Sequence, residues 1–343
     1  LYNITLVLLD SDNEYAYRLK KNVNIVQLTF NSSFAKSLVS MYAFPAKVLK
    51  KLSVNSFIAY YDFISNCVTN VFEKTYDIAI DFYGYGSFVT AFLATKIQAK
   101  KKATWLHDEK PYWMKSVQKY LCEYDKIYGV SQAVVDAFCR EYPHYKDKAA
   151  VFYNVIDIEE IKRKSEQDEI IPFKESFNIV TVGLLTEQKG YDIAIKAASI
   201  LKKRKINFAW YAIGGGRDEK KLKKLVEKYC LENQFVFLGR KKNPYPYMKH
   251  CDLYVQPSRH EGYVITLVEA RALCLPILSS DIPSAREQIQ DGINGYVAEL
   301  SAEDLADKIE YLYNNPSQRK KTVEYLKEHP IDFSTELLKL EII

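Results

Sequence analysis

Pro257-Ser258-Arg259-His260-Glu261-Gly262-Tyr263-Val264-Ile265-Thr266-Leu267-Val268-Glu269-Ala270 follows a short apolar run, Leu253-Tyr254-Val255. The pattern is that of a strand passing through a polar corner into a helix that begins near residues 264–266. Two carboxylates stand eight positions apart, Glu261 in the corner and Glu269 about a turn inside the helix. On one continuous helix that spacing would rotate them by roughly 80°, at about 100° per residue. With Glu261 in the loop, both can face one pocket at the helix start. Unpaired N–H groups and the positive end of the helix dipole make such a start a phosphate site. Carboxylates beside it could accept hydrogen bonds from sugar and ribose hydroxyls. Without further context, the plainer reading is that Glu261 caps the helix and Glu269 lies on the surface.

Working outward, the second half repeats strand and helix from 178 to about 315. Asn178-Ile179-Val180-Thr181-Val182-Gly183 is its first strand, and Leu184-Leu185-Thr186-Glu187-Gln188-Lys189-Gly190 links it to a helix. That loop could deliver the Lys189 ammonium to a diphosphate, though an exposed lysine in a polar turn is the plainer reading. Ala212-Ile213-Gly214-Gly215-Gly216-Arg217-Asp218 is a tight strand-to-helix turn; Glu219 stands where a dinucleotide fingerprint needs its last glycine. Phe235-Val236-Phe237-Leu238 ends at Gly239-Arg240. Asp291-Gly292-Ile293-Asn294-Gly295 is a turn, and Ser301 with Asp304 starts another helix.

The first half alternates in the same way. Strands are expected at 4–9, 24–30, 76–82, up to 106 and at 126–130, with helices at 33–52, 56–74, 87–99, 112–123 and 131–140. Continuous apolar strands alternating with helices imply parallel sheets covered on both faces. The fold class is therefore α/β, two tandem Rossmann-like doubly wound domains with a cleft between them. The charged stretch 161–169 breaks the rhythm, so the linker is placed within 154–177, with domains at 1–170 and 171–330 and a tail at 331–343 crossing back to the first. Because 4–9 already reads as a strand, a segment carrying the first domain's opening strand is expected before Leu1.

At 343 residues, 48% apolar and 27% charged, the chain is globular and long enough for two such domains. A net charge of +5 suits anionic nucleotides or lipid surfaces, and no aromatic residues interleave the Lys runs as a nucleic-acid platform needs. The six cysteines show no metal spacing and fit a reducing cytoplasm. Residues 34–52 mix Met41, Phe44, Val48 and Leu49 with four lysines. They read as a surface helix interrupted by Pro45 or as a basic face touching the inner plasma membrane peripherally.

The run from Glu261 to Ala270, with its preceding strand and the following Leu275-Pro276-Ile277, resembles the E-x7-E signature of the retaining glycosyltransferases of family 4, which have the GT-B architecture. Trp105-Leu106-His107 resembles that family's W-x-H at a strand end. The resemblance covers nearly the whole chain, more loosely from 76 to 157. It implies a hexosyltransferase using a nucleotide-sugar, expected to be a UDP-sugar, on a surface-polysaccharide or lipid-linked glycan acceptor. It assigns Glu261 to donor-sugar hydroxyls and Glu269 to ribose hydroxyls, and it places His107 at the donor sugar or the acceptor. Lys189 and Gly183 would lie at the diphosphate, Gly239 and Arg240 at the base, and Gly262, Val264, Ile265 and Thr266 at the helix start. No metal and no cofactor are implied. The family's usual Arg is Leu184 here, which removes a cation from the diphosphate grip. Two other readings remain, a nucleotide-sugar epimerase on the same architecture and a non-catalytic nucleotide-binding relative.

Overall fold

The computed structural model describes residues 2–8, 23–31, 54–69, 72, 74–84, 88–167 and 173–341, with positions 33 and 37. The stretch 34–52, read as a surface or membrane-facing helix, lies outside these but for position 37.

In the first half, β1 (Ile4–Leu8) and β2 (Val23–Gln27) form a parallel pair. A second sheet contains β3 (Tyr76–Asp81), β4 (Ala99–Leu106), β5 (Lys126–Gly129) and β6 (Ala149–Val151) in that order, all parallel. Trp105, Phe88, Phe138 and Ile127 form its core with helices Val54–Asn66, Phe88–Lys96 and Gln132–Glu141. The expected helix at 112–123 is instead two 3-10 segments, Pro111–Ser116 and Gln118–Glu123. Met114, Val117, Tyr120 and Leu121 are all buried, so the segment turns an apolar face to the core, as the expected helix would have done.

The second half is one six-stranded parallel sheet. β7 (Phe177–Val182), β8 (Phe208–Ile213), β9 (Phe235–Gly239), β10 (Leu253–Gln256), β11 (Ile277–Ser280) and β12 (Tyr296–Ala298) lie in the order β12-β11-β10-β7-β8-β9. Strand alternation sends Ile179, Trp210 and Leu253 into one core and Val180, Tyr211 and Tyr254 into another on the opposite face. Helices therefore cover both faces, as the continuous apolar strands predict. β7, first in sequence, lies between β8 and β10, so the chain winds one way from it and then the other. The crevice at the carboxyl ends of β7 and β10 is thus the topological switch point, the ligand position of an open α/β sheet.

The charged stretch read as a linker contains a helix, Ile158–Ser165, with Asp157 as its N-cap. It sits with the second half: Asn243 donates to the carbonyl of Lys164, and Lys249 pairs with Glu166 at 2.5 Å. Hydrophobic burial of Ile161 and these side-chain contacts override a local composition that looks solvated. The tail does return to the first half, where Glu336 accepts from the Tyr153 N–H at 3.0 Å and Lys339 donates to the Val151 carbonyl.

Candidate functional site

The loop after β7 and the loop after β10 leave neighbouring strands in the same direction, so their residues must meet. Four contacts lock them together. Arg259 holds Asp192 with two parallel bonds of 2.8 Å each, and the same guanidinium donates to the Glu187 carbonyl. The Arg259 N–H donates to the Gln188 carbonyl, and the Gln188 side chain donates to the His260 carbonyl. Gly190 has φ +67°, and a Cβ there would stand 1.8 Å from the Pro257 carbonyl oxygen, so only glycine allows the loops this close. The arginine in turn holds the Asp192 carboxyl below the usual carboxylate range.

This lock carries Lys189 across to Glu261. Their Nζ and Oε1 atoms are 2.6 Å apart, and Glu261 is 7% exposed. The aliphatic part of Lys189 lies against Gly183, where a Cβ would be in ordinary contact. Glu261 Oε1 also accepts from the Ser258 hydroxyl at 2.7 Å. The Glu261 carbonyl accepts from Ser284 at 3.0 Å.

Helix Ile265–Ala272 begins one step on. Thr266 points its hydroxyl at Gln256 (2.9 Å), and the Ile265 N–H donates to the Tyr263 carbonyl at 3.1 Å. Val264 is 1% exposed and its side chain belongs to the core, so only its backbone can face a ligand. Glu269 sits within the helix, and the Tyr245 hydroxyl donates to it at 3.0 Å. Burial pushes its carboxyl up to about 6, against the lowering influence of Tyr245 and Lys164. Glu261 and Glu269 both act electrostatically on the buried Tyr254 phenol, which ties the two carboxylates to one neighbourhood rather than to opposite surfaces.

Other predicted residues fall around this centre. Gly239, with φ +69°, ends β9 and accepts the Gly214 N–H at 2.9 Å, while Arg240 is exposed and lies over Gly215. Leu184 is 54% exposed beside Gly183, which leaves room for a longer side chain. A surface cavity of about 240 Å³ lined by Thr186, Asp192, Asp218 and Lys221 borders the 186–192 segment, but neither Lys189 nor either glutamate lines it.

His107 stands at the end of β4. Its Nε2 is 2.7 Å from the Phe82 carbonyl, and since a carbonyl only accepts, that nitrogen carries the proton. Asp81 builds the turn beneath it, accepting from the Gly84 N–H, Thr90 and Thr104, and burial raises its carboxyl pKa. A Cβ on Gly262 would stand 1.8 Å from the His107 carbonyl oxygen. Gly262 thus brings the signature corner into backbone contact with His107 across the two halves.

Glu287 makes a second crossing. Its two carboxylate oxygens accept the Gln132 and Ala133 N–H groups at 2.8 Å each, at the start of helix Gln132–Glu141, and the Tyr153 hydroxyl adds a third bond at 3.2 Å. Arg259, Ser258, Tyr245 and Glu287 were not singled out from sequence. Ser258 and Arg259 lie within the quoted run, but nothing local marks Tyr245 or Glu287.

Two Rossmann-like halves with a site at their facing sheet ends are the GT-B fold. HepE from Anabaena, solved with UDP and glucose, superposes with a TM-score of 0.72 at 18% identity over 98% of this chain and 90% of that one. A glycosyltransferase from Rickettsia africae gives 0.70 at 19% identity over 98% and 89%. Residues 162–329 match the family described as Glycosyl transferases group 1. An N-acetylgalactosaminyltransferase from Campylobacter jejuni, which by name acts on a diphospho-undecaprenol-linked sugar, is 30% identical over 184 residues, 50% of this chain and 49% of that protein. An uncharacterized glycosyltransferase from Methanocaldococcus jannaschii is 32% identical over 215 residues, 62% and 56%. The chain spans about half the length of the curated relatives it matches.

Proposed function

We propose that this protein is a glycosyltransferase that moves a hexose from a nucleotide-sugar, in particular a UDP-sugar, to a glycan or lipid-linked glycan acceptor. The observation that carries this reading is the Lys189–Glu261 pair at the β7/β10 switch point, next to Glu269 and the start of helix Ile265–Ala272. The match of 162–329 to a glycosyltransferase family and the UDP complex of HepE support it. O-antigen biosynthesis in the name of a relative from Escherichia coli supports the acceptor class.

In this reading the site belongs to family 4 and the reaction retains configuration. Glu269 accepts from the ribose hydroxyls, and Glu261 from those of the donor sugar. Lys189 and the Thr266 end of the helix face the diphosphate, offering positive charge where negative charge develops. The acceptor hydroxyl attacks the anomeric carbon from the face the nucleotide leaves. The new C–O bond forms as the bond to the phosphate oxygen breaks, and the acceptor proton passes to that oxygen. No metal enters, because Lys189 and the helix dipole supply the charge. His107 borders the sugar and the incoming hydroxyl. Both substrates are water-soluble or presented at the membrane surface, so the enzyme works in the cytoplasm or at the inner face of the membrane. None of the described helices is long and apolar enough to cross it.

The test is release of UDP from a panel of UDP-hexoses in the presence of lipid-linked glycan acceptors. Glu269→Ala should abolish transfer while circular dichroism stays unchanged, and undiminished turnover would reject the assignment. Interconversion of UDP-sugars with no acceptor would favour the epimerase reading instead.

A further inference from the structure

Gln256 is the last residue of β10, and both it and Ser258 have no solvent exposure. A buried primary amide has to satisfy both of its ends. Gln256 Oε1 accepts from the Tyr254 and Thr266 hydroxyls. Gln256 Nε2 donates to Ser258 Oγ at 2.6 Å, and Ser258 Oγ donates to Glu261 Oε1 at 2.7 Å. The chain therefore runs unbroken from the start of helix Ile265–Ala272 to the carboxylate that Lys189 holds from the other side.

The direction of this chain is fixed by charge. An ionised Glu261 only accepts, so the single Ser258 proton must point at it. Ser258 then needs a donor on its other side, so the Gln256 amide must present N–H there and carbonyl oxygen to Tyr254 and Thr266. Turning the amide over would claim the Ser258 proton and leave two acceptor oxygens facing each other 2.7 Å apart. Burial holds the Tyr254 phenol protonated, which keeps it a donor.

We infer that Gln256 and Ser258 are positioning residues that orient Glu261 toward the donor sugar and tie that orientation to Thr266 at the diphosphate end. This role rests on the transferase reading. Ser258 touches only Glu261 and Gln256 by its side chain, whereas Gln256 also holds Thr266, so Ser258 is expected to act on sugar-dependent steps and Gln256 on both ends of the site.

The experiment uses Ser258→Ala, Gln256→Met and the double variant in the whole chain. Calorimetry reads UDP binding, and turnover reads kcat and KM for whichever of UDP-glucose, UDP-galactose and UDP-N-acetylglucosamine the wild type uses. Each single variant should lower kcat by about tenfold, as small displacements of a reacting group do. UDP affinity of Ser258→Ala should stay within about twofold, whereas Gln256→Met, which also releases Thr266, should weaken it further. The double variant should lose no more than Gln256→Met alone, because one chain has only one end to lose. Losses that multiply in the double variant would overturn the relay, as would equal losses of UDP affinity and turnover in Ser258→Ala, or its full activity. A wild-type protein that binds UDP but neither turns over nor discriminates any of the three sugars would sink the transferase reading itself, and this role with it.

Discussion

Lys189 and Glu261 are 2.6 Å apart although 72 residues separate them in sequence, and their side chains are only 21% and 9% exposed. The pair lies where two strand ends adjoin, so it reports on both the fold and the proposed site. Removing one partner strands the other in a poorly hydrated place. Lys189→Met should therefore lower stability by about 1–3 kcal/mol, between the values for exposed and fully buried pairs because Lys189 keeps some solvent contact. Lys189→Met with Glu261→Gln should recover much of that loss in thermal denaturation while remaining inactive. A double variant less stable than Lys189→Met would show that the two charges are not coupled.

Glu269 gives two pH dependences of opposite sign. Its carboxyl is pushed up to about 6 from an ordinary 4.5, so between those values the folded chain holds a proton that the unfolded chain has released. Stability should fall as pH rises through that window, by about 2 kcal/mol in all at 1.36 kcal/mol per unit. Binding runs the other way, because a carboxylate that accepts from ribose hydroxyls must be ionised. UDP affinity should drop as pH falls below about 6, approaching tenfold between pH 7 and pH 5. Glu269→Gln should flatten both curves. Titration by calorimetry at pH 5, 6 and 7 reads the second, and an unchanged slope in the variant would remove Glu269 from the ribose site.

Gly262 meets the His107 carbonyl oxygen at 1.8 Å from where its own Cβ would be, and the carbonyl carbon at 2.5 Å. Both atoms are backbone at the end of a buried strand and cannot step aside. Gly262→Ala should push the two halves apart, raising the radius of gyration in small-angle scattering and lowering turnover at least about tenfold through lost alignment. Each half should keep its own fold. Wild-type turnover with an unchanged radius would mean that the contact is not needed.

Much of this arrangement was legible in sequence, and the rest was not, for identifiable reasons. β7 and β10 announce themselves as apolar runs ending in polar corners, and Lys189, Glu261 and Glu269 stand at or just past those corners. That Lys189 touches Glu261 is not local information. It depends on Arg259 reaching Asp192, 67 residues away, and on a strand order that sequence reading did not attempt. Helix Ile158–Ser165 lies inside the stretch read as linker and shows no apolar stripe in sequence, because its charges face water while Ile161, its buried apolar residue, packs inward. The bond from the Ile265 N–H to the Tyr263 carbonyl is likewise a detail of one tight turn that no spacing rule contains.

Leu184 stands where the family that the sequence resembles has Arg, and its side chain is 54% exposed one residue past Gly183. A guanidinium there would add a planar, permanently charged donor near the proposed diphosphate, and an exposed leucine gives up little packing. Leu184→Arg should tighten UDP binding about three- to thirtyfold, and turnover should rise if the diphosphate grip limits it. Tighter binding with turnover still absent would favour the non-catalytic reading, whereas no change in binding would place residue 184 away from the phosphates.

Glu287 joins the halves by a different principle. Its carboxylate faces the positive end of helix Gln132–Glu141 and accepts one N–H on each oxygen, while that helix's own cap, Ser131, takes the Val134 N–H at 3.2 Å. One side chain from the second half therefore completes the capping of a helix in the first. Glu287→Ala should cost about 1–2 kcal/mol, the worth of a good cap with a favourable charge. Glu287→Gln keeps the shape but turns an amide N–H toward a backbone N–H, so it should recover less than half. Because these bonds cross from one half to the other, their loss should appear as faster hydrogen exchange at Gln132 and Ala133. Exchange at those two amides that matches the wild type would show that the helix is capped without help from the other half.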